Sequence, residues 1–387
     1  MKLEEILSSK PLYYTKFDPN RIVEAYELIK DKINHPKRVQ IIGTNGKGST
    51  GRAIAHLAYK SGLSVGHFTS PHILDFKERF WVNGKFATNQ ELERANSKLE
   101  KLLGDKMRDA LSYFEYQALL AFVLFENLDL QVIEAGLGGE FDATSVAKYD
   151  LTVVTPIGLD HADFLGETIK EVATTKLKAI DKEALIALQV YDEVYSVAKD
   201  ITKEKGAKLH LFKDIKSDNL EQIESIAKEK AWAKYLVQNI LNATFALDIL
   251  GVNYRLKDLK TLKIFGRFYR LKENVTIDVG HNYLAAMQIV KALPKKVDLI
   301  FNILSDKGAK RTLEILKPKI RHLHIIKIDT QRATNLEELE AILKELNIEY
   351  SYFNGDIKKD RDYLVFGSFY VVEQFLKSIG VKSIDSE

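Results

Sequence analysis

The chain contains no cysteine. Disulfides, thiolate nucleophiles and Cys-ligated zinc are therefore excluded. It also lacks a long apolar run. The most apolar helical stretch, ALLAFVLF from Ala118 to Phe125, is far shorter than the ~20 residues that span a bilayer. No Pro- or Ser-rich linker and no low-complexity tract interrupts it. Charge of one sign is missing too, since 57 Lys and Arg face 54 Asp and Glu and leave a net charge of +3. A dedicated nucleic-acid binder shows a strong basic excess. The opening MKLEEILSSKPLYY carries acidic residues where a secretory leader needs an apolar core. The expectation is a cytoplasmic protein, binding neither nucleic acid nor membrane, and without the heptads that would argue against a monomer.

What is present is a globular composition, 45% hydrophobic and 29% charged, over 387 residues. That length exceeds one ordinary core and predicts two domains. Short apolar runs alternate with amphipathic segments. RVQIIG, LQVIEAG and DLTVVTPIG read as buried strands, and TGRAIAHLAYKSG and YQALLAFVLFENL as helices. In the first helix Ala53, Ile54, Leu57 and Ala58 share a face, and Gly62 suits its C-terminal end. A second alternation runs from NVTIDVG through VDLIFNIL and HLHIIKI to DYLVFGSF. This rhythm predicts α/β domains with mostly parallel sheets. The expected joint lies near TLKIFGRFYR, giving domains 1–264 and 265–387 with a cleft between them.

Ligands of parallel sheets collect at the carboxyl ends of strands. GTNGKGSTG, Gly43 to Gly51, stands at such an end. Its glycines leave backbone N–H groups free to face phosphate oxygens, and Lys47 adds charge at a helix start. The loop departs from the familiar phosphate-loop pattern, because Gly48 separates Lys47 from Ser49 and Ile41 replaces the upstream Gly. Glu134 closes the strand QVIE, a normal place for a magnesium ligand. His161 follows the strand TVVTP beside Asp160 and Asp163. In the second half DVGHN supplies Asp278, His281 and Asn282, and Arg267 is either a linker charge or a cation reaching across the cleft. LSYFEYQA surrounds Glu115 with aromatics, as an ordinary helix start does, or as a flat heterocycle requires.

In order along the chain, GTNGKGS, TSPHILDFKERFWVNG, EAGLGGEFDATS, TPIGLDHADFLGETI, NATFAL, GRF, DVGHN, SDK and GSFYVV resemble the folylpolyglutamate synthase/dihydrofolate synthase family of the Mur ligase superfamily. The resemblance runs from about residue 18 to residue 375. It implies an N-terminal ATP- and pterin-binding P-loop domain and a smaller Rossmann-like glutamate-ligase domain. It implies an ATP- and Mg²⁺-dependent ligase that joins L-glutamate to dihydropteroate, and further glutamates to reduced folates, through an acyl phosphate. Thr44, Asn45, Gly46, Lys47, Gly48, Ser49, Asn242, Arg267, Asp278 and His281 match ATP-binding positions. Ser70, Glu134 and His161 match magnesium ligands, and Lys176 matches a lysine that becomes a carbamate, with Lys178 the neighbouring candidate. Lys47, His161, Lys176 and Arg267 are the expected catalytic residues. Asp18, Ser112, Tyr113, Phe114, Glu115, Phe141 and Ala143 resemble a dihydropteroate pocket. Two alternatives remain at this stage: a Mur-type ligase acting on a UDP-linked peptidoglycan precursor, against which Gly48 argues, and a non-catalytic nucleotide-binding member.

Overall fold

A computed structural model describes residues 1–11, 18–160, 162–214 and 218–384. These residues build two sheets. The first contains β1 (Lys37–Ile42), β2 (Val65–Phe68), β3 (Phe80–Val82), β4 (Lys85–Phe86), β5 (Leu130–Glu134), β6 (Leu151–Val154), β7 (Glu183–Ile186) and β8 (Lys208–Leu211), in the order β4-β3-β2-β5-β1-β6-β7-β8. Its strands are parallel from β2 to β8, and β3 and β4 add an antiparallel edge. The second contains β9 (Tyr269–Lys272), β10 (Val275–Asp278), β11 (Val297–Phe301), β12 (Ile320–Ile325), β13 (Tyr350–Tyr352) and β14 (Tyr363–Phe366), in the order β13-β12-β11-β14-β10-β9. Only β9 runs antiparallel to its neighbour there.

The central strands are apolar throughout because both sheet faces are covered. Val39 and Ile41 of β1 join one core with the helices Lys47–Lys60 and Lys234–Ile249, while Ile42 points into another with β6 and β7. The helix Lys47–Lys60 buries the face read from its sequence, with Ala53, Ile54, Leu57 and Ala58 at most 1% exposed. Gly62 follows its C-cap Ser61 with φ +102°, the left-handed conformation that closes many helices. The expected strands fall where the apolar runs are. The antiparallel edges β3, β4 and β9 were not foreseen, being short and without a long apolar run.

The chain order 2-5-1-6 places the carboxyl ends of β5 and β6 on either side of that of β1. The register pairs Ile41 with Glu134 and Ile42 with Val154. Everything that follows β1 is thus confined between two neighbouring strand ends. The connection from Thr261 to Tyr269, where the expected domain boundary falls, links the two sheets. Ile73, from the loop after β2, packs into the core of the second sheet with Val275 and Ile277. Among the described residues no helix is long and apolar enough to cross a membrane.

Candidate active site

The glycine loop is fixed from both sides. Gly43 adopts φ +134°, and a Cβ there would lie 2.1 Å from the Thr155 hydroxyl. Only glycine lets β1 turn this close to the end of β6. The N–H groups of Thr44 and Asn45 both donate to the Pro156 carbonyl, at 3.0 and 3.2 Å. The Thr44 hydroxyl donates to the Gly158 carbonyl and accepts from its N–H. Gly46 caps the helix at φ +91°, where a Cβ would press on the Asn239 amide at 2.8 Å. The first internal bond of the helix runs from Thr50 N–H to the Gly46 carbonyl, 3.0 Å. The N–H groups of Lys47, Gly48 and Ser49 therefore lack helical acceptors and are available to an anion. Lys47 Nζ folds back on the carbonyls of Gly43 and Thr44, at 3.2 and 3.3 Å.

A second ammonium reaches the same carbonyl. Lys176 lies on the helix Ile169–Leu177, is 4% exposed, and donates to the Gly43 carbonyl at 3.3 Å. Burial first, and the nearby Lys47 charge second, lower its pKa to about 7. Lys178 is instead half-exposed and pairs with Glu140 at 2.9 Å. Helical spacing explains the difference, since Val172, Ala173, Lys176 and Leu177 share the buried face. Of the two candidate lysines, the fold brings Lys176 to the loop.

Glu134, 4% exposed, ends β5 on the other side of the loop. The Thr69 hydroxyl and the Ser70 N–H donate to its carboxylate. Burial raises its pKa, while Lys47, Thr69 and Arg267 pull it down. Gly48 faces this carboxylate: a Cβ there would sit 3.4 Å from Glu134 Oε2 and Thr69 Oγ1, and 3.6 Å from Arg267 Nη2. Its backbone is not strained, so glycine serves here to keep the space open. His161 lies outside the described residues.

The segment that follows β10 of the second sheet meets the loop directly. The side-chain amides of Asn45 and Asn282 exchange hydrogen bonds at 3.0 and 3.1 Å. Asn282 also caps the helix Tyr283–Ala292 and donates to Asp160 at 3.3 Å. Asp160 accepts from the buried Lys307 at 2.5 Å, and His281 Nε2 lies 3.7 Å from it. Asp160 and Lys307 were missed as site residues from sequence, although the SDK motif was the available signal. Asp278 is buried and accepts from the Tyr235 hydroxyl (2.5 Å), Phe268 N–H (2.8 Å) and Gly280 N–H (2.7 Å). It ties the helix Lys234–Ile249 to β10, and it holds Phe268 at φ +43°, a strained setting that fixes the adjoining Arg267. The Arg267 guanidinium lies 5.2 Å over the Phe369 ring.

Tyr235, Asn239 and Asn242 follow at spacings of four and three on one helix face. Asn239 donates to Ser49 Oγ at 2.7 Å. Asn242 is fully buried, and neither amide atom has a partner among the described residues. The orphaned Asn242 amide, on the helix whose Asn239 bonds Ser49, together with the free cradle of N–H groups and with Lys47 and Arg267 near the Glu134 carboxylate, fits a nucleotide with a divalent cation at Glu134. Among the described residues no cluster of three His, Asp or Glu forms a metal site by itself.

The aromatic stretch is organised differently from a simple carboxylate pocket. Ser112 and Glu115 form a capping box on the helix Tyr113–Leu124. Glu115 also receives both branches of Arg21, at 3.0 and 3.2 Å, so its buried carboxylate is engaged within the protein. Arg21, ninety-four residues away in sequence, gave no local signal. Phe114 sits against Gly136, where a Cβ would lie 2.4 Å from its ring, and stacks near Phe68. Tyr113 adjoins Phe76 and the Arg79 guanidinium. The turn Ala143–Val146 packs on the same helix. Phe141 is 54% exposed, and Asp18 caps the helix Pro19–Ile29, accepting from Asn20 N–H.

Residues 41–254 match the Mur ligase middle domain. The dihydrofolate synthase/folylpolyglutamate synthase of Escherichia coli strain K12 is 30% identical over 378 residues, covering 88% of this chain and 86% of that protein. A crystal structure of Helicobacter pylori folylpolyglutamate synthetase superposes with a TM-score of 0.78 at 38% identity, over 97% of both chains. The structure of E. coli FolC in complex with DHPP and ADP superposes with a TM-score of 0.81 at 26% identity, over 98% of both chains.

The depressed Lys176 pKa has a consequence for stability. The unfolded amine titrates near 10.5 and the folded one near 7, so folding disfavours the ammonium. Its cost is full below pH 7 and is relieved as pH rises towards 10.5, by up to ~1.4 kcal/mol per unit. In CO₂-free buffer, urea unfolding of the wild type and of Lys176→Met should therefore diverge with pH. The stability of the wild type relative to the variant is expected to climb from pH 6 to pH 9. A constant difference would show that Lys176 is not held in this state.

Proposed function

The chain belongs to the dihydrofolate synthase/folylpolyglutamate synthase family of Mur-type ligases, and on that premise we propose that it joins L-glutamate to dihydropteroate and further glutamates to reduced folates, consuming ATP. The observation that carries the reading is the convergence of Lys47 and Lys176 on the Gly43 carbonyl, opposite Glu134. That charge arrangement awaits a polyanion with its counter-cation. The folate reading takes precedence over a UDP-linked peptidoglycan substrate because the relatives named above are folate enzymes over nearly the whole chain.

A carboxylate is a poor electrophile, and its transfer to an amine requires activation as an acyl phosphate. The N–H groups of Lys47, Gly48 and Ser49 and the Lys47 ammonium hold the phosphates, and Asn242 takes up the nucleotide with its open amide. Glu134 and Ser70, with His161, would hold Mg²⁺, which supplies charge neutralisation when bound. Arg267, braced by Phe268 and Asp278, faces the transferring phosphoryl group from across the cleft. The Asn45–Asn282 and Asp160–Lys307 contacts seat the C-terminal domain on the loop and keep out water, which would hydrolyse the activated carboxyl group. The glutamate amine then attacks, and phosphate leaves. The aromatic surface around Tyr113 and Phe114 receives the pterin, with Arg21 holding Glu115 in place.

Lys176 has the chemistry of a carbamate-forming residue. An amine with a pKa of about 7 is largely unprotonated at slightly alkaline pH; its lone pair adds to the CO₂ carbon, one C=O π pair moves onto oxygen and a proton is released to solvent, giving a carbamate anion beside the loop. Carbon-13 bicarbonate should give one carbamate resonance in the wild type that Lys176→Met lacks, and identical spectra would dismiss the modification. The ligase reading itself is tested by ADP release with dihydropteroate and L-glutamate, each omitted in turn. Release should need both, and Lys47→Ala should reduce it at least ~100-fold. Full activity of that variant, or no stimulation by the substrate pair, would refute the proposal.

A further inference from the structure

Beside the loop, on the side of Gly48 that faces Glu134, a cavity of about 100 Å³ opens between the two domains. Gly48 and Arg52 of the loop helix, His67 and Thr69 from the end of β2, and Lys263 and Arg267 from the interdomain connection line it. Ile73, Phe265 and Phe369 supply apolar walls, which strengthen any charge interaction inside. Glu78 is its acidic member, and its carboxylate already accepts from the N–H groups of Ile73, Leu74 and Asp75 at 2.7 to 2.8 Å. The Arg52 guanidinium is laid over the Trp81 ring, 4.9 Å from its centre, which sets its direction.

His67 belongs to the wall only, because each of its nitrogens exposes less than 1 Å². Its ring is 1% exposed and forms part of the cavity wall, and neither nitrogen has a partner among the described residues. The ring is pressed on Gly51, where a Cβ would lie 2.6 Å from Nε2. A buried imidazole keeps one N–H in its neutral form, and leaving it without an acceptor costs ~1–3 kcal/mol. Three cations, Arg52, Lys263 and Arg267, around a space of this size between apolar walls suit a small oxyanion.

We propose that this cavity is an oxyanion subsite adjoining the nucleotide's place, built by Arg52 and Lys263. The proposal rests on the ligase reading for its two possible sources of anion. One is the inorganic phosphate set free as the amide forms. The other is the α-carboxylate of an acceptor that already carries glutamate, a group that dihydropteroate lacks. Both present the same planar or tetrahedral oxygens to the same cations.

Arg52→Gln and the surface-side Lys263→Gln test this in the full chain. First, the protein saturated with a non-hydrolysable ATP analogue is titrated with inorganic phosphate by calorimetry. Binding by the wild type that weakens about tenfold or more in the variants supports the subsite, whatever reaction the enzyme catalyses. Second, steady-state kinetics compare dihydropteroate with a monoglutamyl tetrahydrofolate. If phosphate is the occupant, product inhibition by phosphate weakens in the variants with both acceptors, and the KM values stay put. If the α-carboxylate is the occupant, KM rises about tenfold for the glutamylated acceptor alone. Phosphate binding, inhibition and both KM values all unchanged would overturn the proposal. A wild type that releases no ADP with either acceptor would overturn the ligase reading instead, and the calorimetry would still decide the subsite. A variant whose melting temperature no longer responds to ADP is damaged, and the judgement then passes to the other.

Discussion

Thr155, at the end of β6, leaves Gly43 no room for a side chain, and the site depends on that close fit. With its Cα wedged against Thr155, the Gly43 carbonyl is aimed where Lys47 and Lys176 can both reach it. The loop N–H groups follow from the same turn, because Thr44 and Asn45 are fastened to Pro156 before the helix begins. A loop fastened to Pro156 at one end and packed on Asn239 at the other presents its donors in advance, so binding an anion costs little reorganisation.

Charge accounts for the unusual protonation states around it. Lys176 is pushed towards its neutral form and Glu134 towards its own, each mainly by burial. Both are the responses of charges shut away from water, which their neighbours offset only in part. A nucleotide's phosphates and a divalent cation are the groups that would return each to its charged form or, at Lys176, let CO₂ convert the amine into an anion. The part of the chain that carries the second sheet contributes a matching set of contacts. Asp160 gathers Asn282, His281 and Lys307, and Asp278 gathers Tyr235, Phe268 and Gly280, so the cleft is bridged at two carboxylates.

Much of this was legible before any fold was known, because the informative residues sit at strand ends and the apolar runs mark the strands. The glycine loop, Glu134 and the helix face through Ala53 and Leu57 follow from local pattern alone. Lys176 could have been separated from Lys178 by the same reasoning, since only Lys176 shares a helical face with Val172 and Ala173. Pairings set by topology could not. Arg21 with Glu115 and Lys307 with Asp160 join segments whose proximity depends on how the sheets and domains stack. Glu115 could be read as part of a helix start or as a partner for a heterocycle; the packed structure shows it capping its own helix, as the first reading has it, and also bound to Arg21. The short edges β3, β4 and β9 were equally hidden, because pairing with a neighbour, rather than composition, makes them strands.

Every role assigned to Lys47, Glu134 and Arg267 serves phosphoryl transfer from a nucleotide at this loop to a substrate carboxylate. Turnover with dihydropteroate labelled in its carboxylate with oxygen-18 follows that step directly. The released phosphate should carry one labelled oxygen for each amide formed, the other remaining in the product. Phosphate free of the label would mean that the carboxylate is never phosphorylated, and the role assigned to Lys47, Glu134 and Arg267 would be wrong.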